Sequence, residues 1–353
     1  LKSAMLHTLV VGLGRAGAGL HLPVLAKARA RQPGLFAPAP VIGLDRRPGA
    51  ASAALRAGGA AAELRVVDSL AEARPLLDPD RTVAHVCTPP VARVEVVREL
   101  LDAGFRRLLL EKPLAADRRE LARLRELLRR PGVRAAVVAP WLAAALTDRL
   151  ARLPQDRPGL GALREIAVVQ NKPRFQRSFS TSGHPTAFDV EVPHALGVLL
   201  RLAGDAEVVA ASCTGLEAGG LRRPFLGGAT LRLAHRGGVR GEIASDLGSP
   251  VRERRITLRF EHGTAVGHYP ADASDDHAQL RVTEGGTTSP REVFRDDALT
   301  AFLLGAYAEF ASGGPGPAAV ERQARVVELL CDAKELAGAD RPASARRELA
   351  DAR

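Results

Sequence analysis

The chain has 353 residues, enough for two domains that each bury a core, and its 46% hydrophobic and 25% charged content is ordinary for a globular protein. The net charge of +10 comes from scattered arginines interleaved with acids, as in Asp117-Arg118-Arg119-Glu120, and aromatics are only 4% of residues, so solvated helix faces are expected and no nucleic-acid partner. No apolar run approaches a membrane span, and three distant cysteines, Cys87, Cys213 and Cys331, carry neither a disulfide framework nor metal spacing.

Leu6 to Val11 runs straight into a glycine motif instead of a small-residue cleavage site, which with the thiols predicts a metal-free protein of a reducing cytoplasm that binds no membrane. From there short apolar runs alternate with amphipathic stretches, the pattern of a parallel sheet built from βαβ units. Leu9 to Val11, Val41 to Leu44, Val83 to Cys87, Leu108 to Leu110 and Ala135 to Val138 are the predicted strands. Helices are predicted over Val91 to Ala103, ended by Gly104, and over Asp117 to Arg130, ended by Pro131-Gly132. Arg29 to Pro40, with three prolines, is an extended connection. After about residue 150 the pattern changes to strict alternation, clearest in Arg255 to Phe260 and shorter in Thr230 to Leu233 and Gln279 to Val282. Alternation implies a mostly antiparallel sheet with one buried face. Two helices, Asp297 to Ser312 and Pro317 to Ala337, close the fold. The expected division is a Rossmann domain over 1–140, an α+β domain over 141–340 that binds substrate and carries an open sheet with helices on one face, and a frayed tail over 341–353.

Gly12-Leu13-Gly14-Arg15-Ala16-Gly17 follows the first strand and opens a helix-like stretch. In that setting the first glycine permits the tight turn, the second lets backbone approach a pyrophosphate and the third allows close helix–strand packing. Asp45, at the end of the second strand, is placed to hydrogen-bond ribose hydroxyls; it lies 28 residues beyond Gly17, more than the usual ~20, because of the Pro-rich connection. Asp45 disfavours a 2′-phosphate whereas Arg46 and Arg47 would attract one, so NAD is expected with NADP left open. Cys87-Thr88-Pro89-Pro90 and Glu111-Lys112-Pro113 end consecutive strands at the carboxyl edge, where doubly wound sheets bind ligands. Lys112 is one of five lysines in a chain with 45 arginines, and an ammonium, unlike a guanidinium, can lose its proton.

Gly12 to Gly17, His21-Leu22-Pro23, Asp45, Thr88-Pro89-Pro90, Glu111-Lys112-Pro113-Leu114 and the closing helix pair together resemble the Gfo/Idh/MocA family of NAD(P)-dependent oxidoreductases. The resemblance implies that Lys112 contacts nicotinamide ribose and substrate and assists proton transfer, and that the protein forms dimers or tetramers through its open sheet. It also implies a histidine at a helix start in the second domain, which Phe188 to His194 resembles, with His194 in that role. The family's aspartate four residues earlier is replaced by Val190, so Glu191 or Asp189 is expected to supply the carboxylate. Ala139 to Ala145 is nearly apolar where the family commonly carries Asn and Arg, and Arg93 replaces a frequent histidine. Lys172 and Arg174, after the strand-like Ile166 to Gln170, are placed to meet a polyhydroxylated or anionic substrate, and the Ser178 to Gly183 stretch beside His184 is a candidate substrate loop.

The expected activity is hydride transfer between nicotinamide and a secondary alcohol or ketone of a sugar, cyclitol or related polyol. Lys112 and His194 would move the proton and Glu191 would orient the pair. Two alternatives are a non-catalytic dinucleotide-binding or redox-sensing protein, suggested by the altered pocket segments, and the NAD-dependent glycosidase chemistry known in the same fold.

Overall fold

A computed structural model describes residues 5–47, 49, 64–180, 184–272 and 274–339. The chain divides into two compact units, Leu1–Pro140 with Ala298–Val327 and Trp141–Asp297 with Glu328–Arg353. In the first, strands β1 (His7–Val11), β2 (Val41–Leu44), β3 (Leu64–Val67), β4 (Thr82–Val86), β5 (Arg107–Leu110) and β6 (Arg134–Val137) form a sheet in the order β3-β2-β1-β4-β5-β6. Every neighbouring pair is parallel. Strands β2 and β4 are buried along their whole length, as expected where a parallel sheet is covered on both faces. The order reverses between β1 and β4, so their carboxyl ends flank the crevice where such sheets receive ligands. Helices α1 (Leu22–Arg31), α2 (Leu70–Ala73), α3 (Arg93–Asp102) and α4 (Arg118–Leu128) connect the strands. The Asp117 carboxylate accepts the Glu120 N–H at 2.8 Å and starts α4, whose Leu121, Leu124 and Leu127 are buried at helical spacing.

The second unit contains β7 (Leu163–Asn171), β8 (Ala206–Cys213), β9 (Leu216–Ala218), β10 (Leu221–Arg223), β11 (Gly228–His235), β12 (Arg240–Asp246), β13 (Glu253–Phe260), β14 (Gly263–His268), β15 (His277–Glu284), β16 (Thr287–Thr288) and β17 (Glu292–Arg295). Its main sheet runs β16-β15-β14-β13-β7-β12-β11-β8, with β17 on β15, while β9 and β10 form a hairpin. Among the described residues β7 and β12 are its one parallel pair. Alternation appears where it was expected: in β11, Ala229, Leu231 and Leu233 are buried and Thr230, Arg232 and Ala234 exposed. Helices α5 (Ala145–Asp156), α6 (Phe175–Ser180) and α7 (Val192–Ala203) belong to this unit. The Asp296 carboxylate accepts the Ala145 and Leu146 N–H groups at 2.8 and 3.1 Å, satisfying the start of α5.

The closing helices α8 (Ala298–Ala311) and α9 (Pro317–Leu336) correct the expected single domain over 141–340. Leu303, Ala306, Tyr307 and Phe310 of α8 join the core formed by Leu6, Val10, Leu25 and Phe36 in the first unit. Helix α9 is shared, its residues to Val327 clustering with the first unit and those from Glu328 with the second. The expected frayed tail over 341–353 lies outside the described residues.

Two of the scarce lysines make short ion pairs with buried carboxylates in the second unit. Lys334 Nζ lies 2.6 Å from Asp189 Oδ1, with both side chains less than a tenth exposed. Asp189 Oδ2 accepts the N–H and hydroxyl of Thr186 at 3.0 and 2.7 Å. Removing one partner would leave a buried charge uncompensated, a loss of about 3 kcal/mol or more. Lys334→Ala is therefore expected to lower the unfolding free energy by that amount, read as a lower urea midpoint at unchanged m; a change below about 1 kcal/mol would show that solvent already screens the pair.

Candidate active site

The glycine motif forms the turn after β1. Gly12 has φ +92° and donates its N–H to Leu44 O at 2.8 Å. A Cβ at Gly17 would lie 2.0 Å from Gly12 O, so only glycine lets the turn close on itself, whereas a Cβ at Gly14 would meet nothing nearer than the Arg47 guanidinium at 3.5 Å. Arg15 is exposed and the Ala16 carbonyl accepts from Leu20 and His21 in the short π-helical turn before α1. From the end of β2, Asp45 Oδ2 accepts the Leu13 N–H at 2.8 Å and Arg47 Nη2 at 2.7 Å, while Oδ1 accepts Arg47 N and Nε, each at 3.0 Å. The Arg47 side chain holds the Asp45 carboxyl down at about 2, against the opposing effect of burial and with help from backbone N–H groups. Arg46, included among the expected cofactor residues, turns instead to Glu99 at 2.5 Å, and its neighbour Arg47 is the cation beside the glycine loop. An open backbone at Gly14, a self-contacting Gly12–Gly17 turn and an acid at the end of β2 fit a dinucleotide.

At the neighbouring edge, Cys87 N–H donates to Val11 O at 2.8 Å and Glu111 N–H to Val86 O at 3.1 Å. Thr88, Pro89 and Pro90 lead into α3, whose Arg93 is 1% exposed. Arg93 Nη2 donates to Thr88 O at 3.0 Å, and Nη1 donates to Pro113 O and, at 3.1 Å, to Leu114 O. One buried guanidinium thus laces the rim loops after β4 and β5 together. Glu111, also an expected cofactor residue, is buried; its Oε2 accepts the Lys112 N–H at 3.0 Å and its Oε1 lies 2.9 Å from His21 Nε2. Lys112 itself is half-buried and joined to Pro113 by a cis peptide bond.

In the second unit Glu191 precedes α7, with Pro193 and His194 in its first turn, and the His194 N–H donates to Glu191 O at 3.1 Å. The Glu191 carboxylate lies 2.6 Å from Lys172 Nζ and 3.8 Å from Arg254 Nη2. Burial works against that charge, but Lys172, His194 and Arg254 outweigh it and hold the Glu191 carboxyl down at about 2. Burial lowers the Lys172 pKa, opposed by the Glu191 carboxylate. Asp189 is engaged by Thr186 and Lys334, and the charge of Glu191 acts on His194. Arg174 is buried and donates to Ser178 Oγ at 2.9 Å; residues 181–183 of the expected substrate loop lie outside the described residues. The apolar segment at 139–145 supplies Trp141, which stacks on Tyr269 (4.0 Å, 16°) and on His194 (5.9 Å, 24°). Tyr269 OH in turn meets Thr147 Oγ1 at 2.7 Å. Among the described residues no group of three or more His, Cys, Asp or Glu is arranged to hold a metal ion.

The first unit thus gathers Gly12 to Gly17, Asp45, Cys87 to Pro90, Glu111 and Lys112 on one sheet edge, and the second gathers Lys172, Glu191 and His194. Arg93 and Trp141 were not among the expected site residues, whereas Arg47 was expected, with Arg46, as an attractor of a 2′-phosphate. Arg93 and Trp141 were visible in sequence only as departures from the family pattern.

Residues 6–139 match the sequence profile of an oxidoreductase family with an NAD-binding Rossmann fold, Gfo/Idh/MocA. No curated protein sequence matches the chain. Among solved structures, KijD10, a 3-ketoreductase from Actinomadura kijaniata crystallised with NADP, is 18% identical and superposes with a TM-score of 0.73 over 93% of this chain and 96% of that one. A putative NADPH-dependent oxidoreductase from Desulfitobacterium hafniense gives 13% identity and a TM-score of 0.75 over 96% of each chain. An NAD-binding oxidoreductase from Klebsiella pneumoniae gives 15% and 0.75 over 96% of this chain and 98% of that one. At these identities the likeness is one of fold.

Gly17→Ala must open the turn to relieve the contact with Gly12 O. The expected result is at least about tenfold weaker NADH and NADPH binding, read by fluorescence titration in a variant whose circular dichroism is that of the parent. Undiminished affinity would show that the turn is not the dinucleotide cradle.

Proposed function

We propose, from the premise that residues 6–139 are the NAD-binding Rossmann domain of the Gfo/Idh/MocA oxidoreductase family, that the protein interconverts a secondary alcohol and a ketone of a sugar, cyclitol or related polyol. The observation that carries this reading is the placement of Lys112. It follows β5 at the carboxyl edge, its N–H held by a buried Glu111 and its following loop laced by Arg93 to the loop after β4. An ammonium so fixed can give a proton to a substrate oxygen during reduction and take it back during oxidation, which none of the chain's 45 arginines can do. The dinucleotide, when bound, supplies or accepts the hydride. His194 is the second proton-handling candidate, oriented by stacking on Trp141 and within electrostatic reach of Glu191. Lys172 and Arg174 serve in this reading as substrate-side cations.

The proposal extends to surroundings. Cys87, Cys213 and Cys331 stand outside any disulfide, which suits a reducing cytoplasm, and no described helix is long and apolar enough to cross a membrane. Assembly into dimers or tetramers through the second unit's open sheet belongs to the same reading.

Lys112→Ala is expected to abolish turnover of a polyol and ketone panel while NAD(P)H still binds; retained turnover would remove the mechanism. NADH binding by the parent with no turnover of any compound would favour the non-catalytic alternative.

Cofactor choice is proposed to rest on Arg47, which lies against Asp45 and beside Gly14. A guanidinium there offsets the Asp45 charge and offers donors to a 2′-phosphate, so both dinucleotides are accommodated. Arg47→Ala should weaken NADPH relative to NADH by about tenfold, the worth of one charged hydrogen bond; an unchanged ratio would assign the choice elsewhere.

A further inference from the structure

Behind Glu111 a line of buried polar groups crosses the first unit. His21 Nε2 meets Glu111 Oε1 at 2.9 Å, His21 Nδ1 meets His85 Nδ1 at 2.8 Å, His85 Nε2 meets Tyr307 OH at 2.9 Å, and Tyr307 OH meets Thr8 Oγ1 at 2.7 Å. His21 is 3% exposed and Thr8, His85 and Tyr307 not at all. These side chains come from four places: β1, the turn before α1, β4 and α8. Nothing in the proton transfer proposed above uses them.

A carboxylate buried this completely requires a counter-charge. Arg93 is near enough to Glu111 to be felt electrostatically, but its hydrogen bonds go to the carbonyls of Thr88, Pro113 and Leu114. The Lys112 ammonium also acts on Glu111, and the group bonded to the carboxylate oxygen from behind is His21. We propose that His21 is a buried imidazolium that takes up the charge of Glu111 and thereby loosens that carboxylate's hold on the ammonium of Lys112, making His21 a positioning and charge-setting residue for proton transfer.

The proton inventory of the line is consistent with this. If both His21 nitrogens donate, His85 accepts at Nδ1 and is neutral, its Nε2–H donates to Tyr307, and the Tyr307 hydroxyl donates to Thr8. Burial and the neighbouring His21 charge push the His85 pKa well below its ordinary value, in the direction this arrangement needs. Burial alone would also neutralise His21, but Cys87 and the Glu111 carboxylate outweigh it and raise its pKa to about 10. Burial keeps the Tyr307 phenol protonated. Glu111 then faces three cations, His21, Lys112 and Arg93. Two are buried, and the half-buried Lys112 is the one that can shed a proton toward substrate. The opposite polarity, in which Thr8 donates down the line to a neutral His21, satisfies the same contacts with one proton fewer.

The inference rests on the reading of Lys112 as the proton-transfer group, but its test needs no substrate. In protein labelled with ¹⁵N-histidine, one of the nine histidines should keep an imidazolium spectrum above pH 8, because a raised pKa preserves the charge until pH passes the folded-state value. Nine histidines all neutral at pH 8 would overturn the proposal in favour of the opposite polarity. After reductive ¹³C-methylation, which keeps lysine charged, the Lys112 signal is identified by its absence in Lys112→Arg. Its titration midpoint should move up by about one pH unit in His21→Gln, which retains a donor and removes the charge, and should stay put in Tyr307→Phe. Coincident Lys112 titrations in parent and His21→Gln would equally overturn it. Should His21→Gln not fold, the histidine spectrum of the parent decides alone. Turnover by Lys112→Ala would remove the functional reading and leave these two measurements untouched.

Discussion

The constraint on which the candidate site depends is the burial of the Glu111 carboxylate at the end of β5. Both oxygens are committed, one to the Lys112 backbone and one to His21. A buried carboxylate tolerates little rearrangement, because losing either partner exposes the full cost of its desolvation. The loop carrying Lys112 is therefore held from behind by a charge and from the side by Arg93, and the lysine side chain itself is half-buried. The fold supplies the rest by bringing α8 back from residue 298 onto the first sheet, where Tyr307 completes the line through His85.

The second unit solves a similar problem with lysine. Asp189 and Glu191 lie two residues apart beside the start of α7, and each meets a lysine ammonium at 2.6 Å, Lys334 and Lys172 respectively. In a chain this rich in arginine, three of the four lysines among the described residues thus occupy buried or half-buried positions at or beside a carboxylate. An ammonium is a compact charge, able to face a single oxygen where a planar guanidinium fork would demand more room. Scarcity of lysine was a signal of position before it was a signal of chemistry.

Much of the first unit was legible. Strands β1, β2 and β4 to β6 are apolar runs because both sheet faces are covered, and helix α4 announces itself through Asp117 and its leucine spacing. Strand β3 was not visible, since Leu64 to Val67 is short and interrupted by Arg65. In the second unit β8 and β12 escaped notice because alanine, serine and glycine dilute their alternation, as in Arg240-Gly241-Glu242-Ile243-Ala244-Ser245-Asp246. The engagement of Asp189 had a local signal. Thr186 and Asp189 stand at the spacing of a capping box, and that box is formed. Which of Arg46 and Arg47 turns toward Asp45 had no such signal, being settled by the presence of Glu99 on α3 for one and the bend of the chain for the other.

The line of groups behind Glu111 was the least legible part, for a physical reason. Its links join residues 90, 64, 222 and 299 positions apart, and each histidine taken alone is as well explained by core packing. Only the sum of donors and acceptors distinguishes a charged line from a set of satisfied polar side chains. Glu111 can only accept while ionised, so His21 Nε2 donates to it in either polarity, and the proton on His21 Nδ1 decides whether the line runs outward to His85 or inward from Thr8. Tyr307 and Thr8, whose hydroxyls can each turn either way, adapt to it. The direction of the remaining hydrogen bonds in the line thus follows from the protonation of one imidazole, His21, bonded to the carboxylate whose neighbour is Lys112.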